Sequence, residues 1–162
     1  MPQVRHALKV PYSAQQMFDL VIDIESYPRF VPGWRAARIV RRDGGPERGV
    51  LSVDQVVSEK SLRFRFDTQA RYRKPAYLRI ATKSQPFRYY MLIWRFAPTD
   101  DGGCRIGVHM RYALRAIPLR HLAERHFNGL FEQVVQSFER EARRRYGAPD
   151  GTASGRRQRA AG

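Results

Sequence analysis

Cysteine, lysine and acidic residues are all scarce in this chain of 162 residues. Its one cysteine, Cys104, excludes an intramolecular disulfide framework and fits a reducing compartment. No apolar run is long enough to cross a bilayer, and strand-like sequence begins almost at the first residue, which leaves no room for a signal or transit peptide. We therefore expect a bacterial cytoplasmic protein with one domain, large enough to bury a core.

The shortage of acidic residues is the strongest compositional signal. There are 15 of them against 30 lysines and arginines, so the formal net charge is +15. A GC-rich genome favours arginine codons, which explains why only four of these 30 basic residues are lysine. It does not explain why acidic residues are so much fewer than basic ones. The surplus of positive charge predicts an anionic partner, either phospholipid headgroups or RNA.

Side chains that carry out catalysis or bind metals are equally sparse. No carboxylate pair stands out, since Asp100 and Asp101 lie in a predicted turn. No serine motif, glycine-rich phosphate loop or paired-cysteine zinc spacing occurs. His6 and His109 fall in strand patterns at positions suited to solvent, and His121 and His126 are five residues apart, which is not a same-face helical spacing. Cys104 begins a predicted strand, and a lone cysteine in such a position is more often a small apolar residue of the core than a nucleophile. The sequence thus predicts no catalytic residue, no metal and no resident cofactor.

The chain does contain a well-marked helix start. Ser13 is a good N-cap, and Gln16 stands three residues later, as in a capping box. Tyr12 and Met17 occupy the two positions of a hydrophobic staple. These signals predict a helix over 14–22, and the following segment is predicted to contain a second short helix over about 26–32.

Alternation of apolar and polar residues predicts an antiparallel sheet. It is clearest over 62–72, a period-two pattern typical of a half-buried strand. The other predicted strands are 3–10, 36–42, 50–58, 77–83, 88–96 and 104–114.

A long amphipathic helix is predicted over 119–146, because apolar residues recur there at three- and four-residue spacing. A single sheet with one apolar face needs a cover, and this helix supplies it, which indicates an α+β domain over 1–147. Residues 148–162 contain mainly small residues, glycine, proline and arginine, and we expect a disordered tail.

The segment from Val10 to Trp34, VPYSAQQMFDLVIDIESYPRFVPGW, resembles the start of the START-like, polyketide-cyclase-type (SRPBCC) domains grouped with the coenzyme Q-binding proteins and the ribosome-association toxins. The resemblance covers roughly residues 3–147. It implies a helix-grip fold, a curved antiparallel sheet with two short helices wrapped around a long C-terminal helix and enclosing an apolar cavity. It continues at Pro86–Arg88, Trp94–Phe96, Tyr112–Leu114 and Phe138–Gly147.

The resemblance implies two functions from different classes. The first is binding of a polyprenyl quinone or similar lipid, with ubiquinone placed first, as a carrier or chaperone that supports respiratory electron transport and docks peripherally on an anionic membrane surface. The alternative is a ribosome-association toxin-like protein that binds the ribosome and its RNA and blocks subunit joining. A cyclase or aromatase activity lacks candidate catalysts in this chain, so we do not expect an enzyme.

The candidate ligand-binding set consists of aromatic and aliphatic residues from four places: the predicted helix 14–22, the segment 27–34 with its two prolines, the sheet and the long helix. For any one of them a role in a solid core is the simpler interpretation. The cavity interpretation depends on the set as a whole and on the fold. The candidates are Phe18, Tyr27, Phe30, Val31, Trp34, Phe64, Phe66, Phe87, Trp94, Phe131, Val134 and Phe138.

Arginines alternate with these inward residues and are therefore expected on the opposite face of the sheet. Few acids are interspersed, so two interpretations remain open, a solvated face without a partner and a surface for a polyanion. The predicted anionic-partner surface consists of Arg63, Arg65, Arg71, Arg73, Arg95 and Arg111.

Overall fold

The computed structural model describes residues 3–59, 62–115 and 120–147, so the predicted tail 148–162 lies outside the described residues. The element order is one strand, two short helices, six strands and one long helix. The strands are β1 (Gln3–Val10), β2 (Trp34–Gly44), β3 (Arg48–Glu59), β4 (Leu62–Arg73), β5 (Tyr77–Thr82), β6 (Phe87–Pro98) and β7 (Cys104–Leu114). The helices are α1 (Ala14–Ile22), a 3₁₀ helix (Ile24–Arg29) and α2 (Arg120–Tyr146).

Helix α1 begins where the sequence predicts. The Ser13 hydroxyl accepts a hydrogen bond from the Gln16 backbone N–H at 3.1 Å, and the Gln16 side chain accepts one from the Ser13 N–H at 2.9 Å. Tyr12 and Met17 are both buried beside this cap. The capping box therefore satisfies the backbone donors at the helix start, and the prediction of a helix over 14–22 is confirmed.

The second short helix differs from the prediction in type and in bounds. It is a 3₁₀ helix over Ile24–Arg29 instead of a helix over 26–32. Pro28 lies inside it and has no N–H to donate, which disfavours a continuous α-helix. Beyond it, Gly33 has a φ of +84° and turns the chain into β2.

The seven strands form one antiparallel, curved sheet in the order β1-β7-β6-β5-β4-β3-β2. Register shifts interrupt the pairing of β2 with β3 and of β6 with β7, and such irregularities bend a strand and increase its twist. Helix α2 covers the concave face, where Phe131, Val135 and Phe138 pack in the same core cluster as the inward residues of the sheet. This arrangement is the helix-grip fold that the family resemblance implies, and it confirms the α+β domain predicted from the sequence pattern.

The C-terminal turns of α2 are fastened to the N-terminal elements. The Tyr12 hydroxyl donates to the Gly147 carbonyl at 2.9 Å, and the Tyr146 hydroxyl donates to the Gln16 carbonyl at 2.8 Å. Arg145 lies 3.0 Å both from Asp23 and from Glu141. These contacts hold α2 and the 3₁₀ helix in fixed relative positions, and together those two elements form one wall of the site described below.

Replacing Glu141 by glutamine is expected to destabilise the fold by about 2 kcal/mol at pH 7, because this buried carboxylate accepts charge-assisted hydrogen bonds from Arg144 and Arg145. Those bonds, from Arg144 first, hold the pKa of Glu141 below its ordinary value of 4.5. The stabilisation is therefore fully present above pH 4.5 and is lost as the pH falls through the lower folded-state pKa.

Urea denaturation as a function of pH measures this effect, with the exposed Glu139→Gln on the same helix as the control. The difference between wild type and Glu141→Gln should shrink steadily below pH 4. A difference that is independent of pH would contradict the assignment.

Candidate functional site: an apolar cavity beneath α2

An apolar cavity of about 100 Å³ lies between the concave face of the sheet and α2. The 3₁₀ helix and the start of β2 close it on one side, through Tyr27 and Trp34. Strands β4 and β6 supply its base, and α2 supplies its roof. For comparison, an engineered apolar cavity of about 150 Å³ is large enough to hold benzene.

Most of the candidate ligand-binding residues lie around this cavity. Whether they bind a ligand stays a prediction, but their placement shows that residues far apart in sequence converge on one space. The lining includes Tyr27, Val31, Trp34, Phe64, Phe66, Phe87, Trp94, Phe131, Val134 and Phe138.

Phe18 and Phe30 do not line the cavity, and the prediction was wrong for both. The Phe18 ring is fully buried against Tyr72 and Phe96, at centroid distances of 6.4 and 5.9 Å. Phe30 is half-buried beside Phe138, with the Arg145 guanidinium carbon 5.8 Å from its ring. Both rings therefore support the wall of the cavity and are core residues.

Phe138 is the centre of the aromatic wall. Its ring meets Tyr27 and Trp94 edge to face, with centroids 5.2 Å apart in both cases. Trp94 in turn stacks nearly parallel to Phe96 at 6.2 Å. Edge-to-face packing of this kind adds about 0.5–1.5 kcal/mol per pair beyond area burial, and it fixes the rings that border the cavity.

Three hydrogen-bonded polar side chains interrupt the apolar lining. The Trp34 indole N–H donates to the Gln55 carbonyl oxygen at 2.7 Å, and the Gln55 amide N–H donates to the Thr68 hydroxyl at 2.6 Å. Gln55 and Thr68 are both buried. Neither residue was predicted to belong to the site. The available signal was Gln55 itself, a glutamine at an inward-facing position between Val53 and Val57.

Two further residues with polar groups, Trp94 and Tyr90, line the cavity. The indole nitrogen of Trp94 is buried without a partner among the described residues. Tyr90 makes a ring contact with Phe87, and burial raises the pKa of its hydroxyl far above the ordinary tyrosine value, so it stays protonated. The cavity therefore presents hydrogen-bond donors to its contents.

Several apolar lining residues also escaped the sequence analysis. Most of them sit on strands or on α2, while Ile24 belongs to the 3₁₀ helix and Pro86 to the turn before β6. Sequence patterns mark such positions only as buried, so they do not separate a cavity wall from a solid core. They are Ile24, Val57, Ile80, Pro86, Leu92, Met110, Leu130 and Val135.

The structure offers little for metal or nucleophilic chemistry. Within the part of the chain that it describes, no group of three or more His, Cys, Asp or Glu side chains is arranged to hold a metal ion. Burial raises the pKa of the Cys104 thiol to about 11, so it is protonated at neutral pH.

The prediction of a solvent-facing position is wrong for His6, which lies on the inward row of β1, paired with Val108, and is half-buried. His109 lies on the outer face, as the alternation predicts, and is half-buried beside Gln3. The side chains of His121 and His126 lie outside the described residues.

The opposite, outer face of the sheet is basic. All six arginines of the predicted anionic-partner surface are exposed, and strand register places Arg73 across β5 from Arg95, with Tyr77 between them. Arg79 on β5 pairs directly with Arg71 and belongs to the same face, although the weak alternation of 77–83 concealed it. We call these seven arginines, Arg63, Arg65, Arg71, Arg73, Arg79, Arg95 and Arg111, the basic outer face.

Like charges on the basic outer face lie close together with little compensation. The Arg95 guanidinium sits 5.6 Å above the Tyr77 ring. Desolvation first, and then the charges of Arg5, Arg111 and Arg95, lower the pKa of His109, so its imidazole is neutral at pH 7. Closely spaced positive charge of this kind attracts a polyanion.

The geometry described above, a sheet gripping a helix over an apolar cavity, defines a START-like domain. Residues 10–139 match the family model described as polyketide cyclase / dehydrase and lipid transport. The chain belongs to that family.

Comparison with characterised proteins extends this assignment. The chain is 31% identical over 148 residues to the ribosome association toxin RatA of Escherichia coli K12, covering 91% of both chains. It is 26% identical to the mitochondrial coenzyme Q-binding protein COQ10 homolog B of Xenopus laevis, covering 84% of this chain and 56% of that one.

Among solved structures, the ZhuI aromatase/cyclase of Streptomyces sp. R1128 superposes with a TM-score of 0.77 at 16% identity, over 91% of this chain and 96% of that one. At this identity the likeness shows the fold alone. The two relatives carry the names of a toxin and a binding protein, whereas this structural neighbour is an enzyme. Within the described ranges, no helix is both long and apolar enough to cross a membrane.

Proposed function

We propose that this protein binds a hydrophobic isoprenoid lipid, with ubiquinone as the first candidate, and carries it between the membrane and the respiratory enzymes that use it. The observation that carries the proposal is the cavity, whose wall of aromatic rings surrounds a few polar side chains. Pockets of this composition hold an apolar body and orient one polar end. We infer a binding function without catalysis, because no acid–base pair faces the cavity among the described residues.

The size of the cavity limits how such a lipid binds. A space of about 100 Å³ is smaller than the cavity of about 150 Å³ that holds benzene, so a substituted quinone ring does not fit it without enlargement. We infer that an outward movement of α2, on which Leu130 and Val134 are only half-buried, enlarges the cavity for the headgroup and opens a path for the tail. The headgroup then occupies the cavity and the tail extends along the groove between α2 and the sheet.

Intrinsic fluorescence tests this proposal directly, because both tryptophans of the chain, Trp34 and Trp94, line the cavity. Titration with ubiquinone-2 is expected to quench their emission saturably, at micromolar concentrations or below. N-acetyltryptophanamide is the control for collisional quenching. Quenching that rises linearly with quinone, as it does for the control, would show that the quinone does not enter the cavity.

A second candidate function, binding to the ribosome, is supported by the basic outer face and by the relatives named as ribosome association toxins. Ribosomal RNA and anionic lipid both present phosphates, so the same face serves either partner. The basic outer face and the cavity lie on opposite sides of the sheet, and they can therefore be tested separately.

Charge reversal separates these partners. Arg71→Glu with Arg95→Glu is expected to weaken binding to the physiological polyanion at least tenfold, and wild-type binding should fall steeply with salt. The matched control is Arg140→Glu with Arg143→Glu, which reverses two exposed arginines of α2. Loss of cosedimentation with ribosomes supports the ribosomal role, and loss of binding to anionic vesicles supports membrane docking. Unchanged binding in both assays would show that the basic outer face has neither partner.

A further inference from the structure

A row of hydroxyl groups crosses the concave face of the sheet at one level. Thr82 pairs with Tyr90, and Tyr90 pairs with Tyr112, on three neighbouring strands. Because Gln69 pairs with Ala81, the next inward residues of β4 and β5, Thr68 and Thr82, also lie side by side. Thr68, Thr82 and Tyr112 are buried and Tyr90 is half-buried, in a core that is mainly apolar.

The directions of the hydrogen bonds around Thr68 show that this residue of the row has a hydroxyl proton left to donate. The Trp34 indole can only donate, so the Gln55 atom that faces it must be the carbonyl oxygen. The amide N–H₂ of Gln55 then faces Thr68, whose hydroxyl oxygen accepts. The hydroxyl proton of Thr68 is therefore left to donate, and Thr68 lines the cavity.

Two other groups at the same cavity have the same character. The buried indole N–H of Trp94 has no acceptor among the described residues. Tyr90 also lines the cavity, and because burial raises the pKa of its hydroxyl, that group keeps its proton. A buried donor without an acceptor is unfavourable, and a ligand oxygen that accepts these protons removes the cost.

We propose that Thr68, Tyr90 and Trp94 form a headgroup subsite that selects ligands with carbonyl or ether oxygens over hydrocarbons of similar shape. This inference rests on the proposed lipid-binding function and specifies the chemistry that the cavity recognises. Gln55 is a positioning residue, since it turns the Thr68 hydroxyl toward the cavity through its own bond to Trp34. A site built to hydrogen-bond a polar ligand discriminates against the analogue that lacks the polar atom.

Displacement of a fluorescent apolar dye by two probes tests the subsite, with ubiquinone-2 carrying acceptor oxygens and the isoprenoid hydrocarbon farnesene carrying none. In the double variant Thr68→Val with Tyr90→Phe, the affinity for ubiquinone-2 is expected to fall at least tenfold, and that for farnesene to stay within twofold. Thr68→Ser keeps the hydroxyl and should retain quinone binding. Tyr89→Phe, one residue from Tyr90 in β6, is the matched control.

The outcomes distinguish the subsite from the function on which it rests. Unchanged ubiquinone-2 binding in the double variant, or an equal loss for both probes, would overturn the subsite while the cavity remained a lipid site. If wild-type protein binds neither probe, the proposed function fails together with the subsite. Loss of quinone binding in Thr68→Ser would show that the shape of the threonine matters and its hydroxyl does not, which also contradicts the proposal.

Discussion

Replacing Val134 by tryptophan is expected to abolish binding of the isoprenoid lipid, lowering affinity at least 50-fold. Val134 projects from α2 into the cavity and is half-buried, so an indole ring at this position fills most of a space of about 100 Å³. The fold should survive, because the new ring enters existing space and does not displace packed atoms. Isothermal titration calorimetry with ubiquinone-2 measures the effect.

Gln136→Trp is the matched control, since it adds the same ring to an exposed position of the same helix. It should bind ubiquinone-2 as the wild type does. Full binding by Val134→Trp, with the fold intact by circular dichroism, would mean that the ligand does not occupy this cavity.

The second large effect concerns stability. Phe138→Ala is expected to lower the free energy of unfolding by about 3–5 kcal/mol, because it removes a buried ring and leaves space that the surroundings cannot fill. The ring centroid lies 5.2–5.3 Å from those of Tyr27, Phe30 and Trp94, so its loss removes the aromatic contacts that join the 3₁₀ helix and the residue after it to α2 and β6.

Urea denaturation measures this loss, and Val134→Ala is its control on the same helix. Val134 already borders empty space and is half-buried, so its truncation should cost much less. Equal costs for the two variants would show that Phe138 is not the centre of the aromatic wall.

The sequence predicts the fold well where local chemistry alone decides the structure. The Ser13–Gln16 capping box fixes the start of α1, and the alternation over 62–72 identifies β4 and the faces of its residues. The arginines of that strand are exposed on the face that alternation assigns to them. These features depend on spacing within one element, which can be read from a linear pattern.

Sequence patterns do not reveal features that depend on several elements together. Gln55 and Thr68 form a polar centre only because β3 pairs with β4 and because Trp34 of β2 donates a hydrogen bond to Gln55. Phe18 and Phe30 have the same composition as true lining residues, and only packing shows that they lie behind the wall. Linear periodicity separates buried from exposed positions, but it carries no information about which buried residues border empty space.

The two faces of the sheet give this domain two independent surfaces. The concave face, beneath α2, holds the cavity and its hydrogen-bond donors. The basic outer face lies on the opposite, convex side. Only a few acidic residues lie near its arginines, such as Asp54 and Asp67, which are opposite each other in the register of β3 and β4. Because neighbouring residues of a strand point to opposite faces, substitutions on one face leave the other in place. The proposed carrier function requires this separation, because the protein would dock on a membrane through its outer face while it holds a lipid in the cavity.

Organic extraction of the purified, untagged protein, followed by mass spectrometry, shows whether the protein carries an isoprenoid lipid. A quinone or another isoprenoid lipid is expected to copurify with wild-type protein in substantial molar ratio and to be largely lost from Val134→Trp prepared in parallel. Wild-type protein that carries no isoprenoid, and that acquires none when incubated with vesicles containing ubiquinone, would contradict the proposed lipid-binding function.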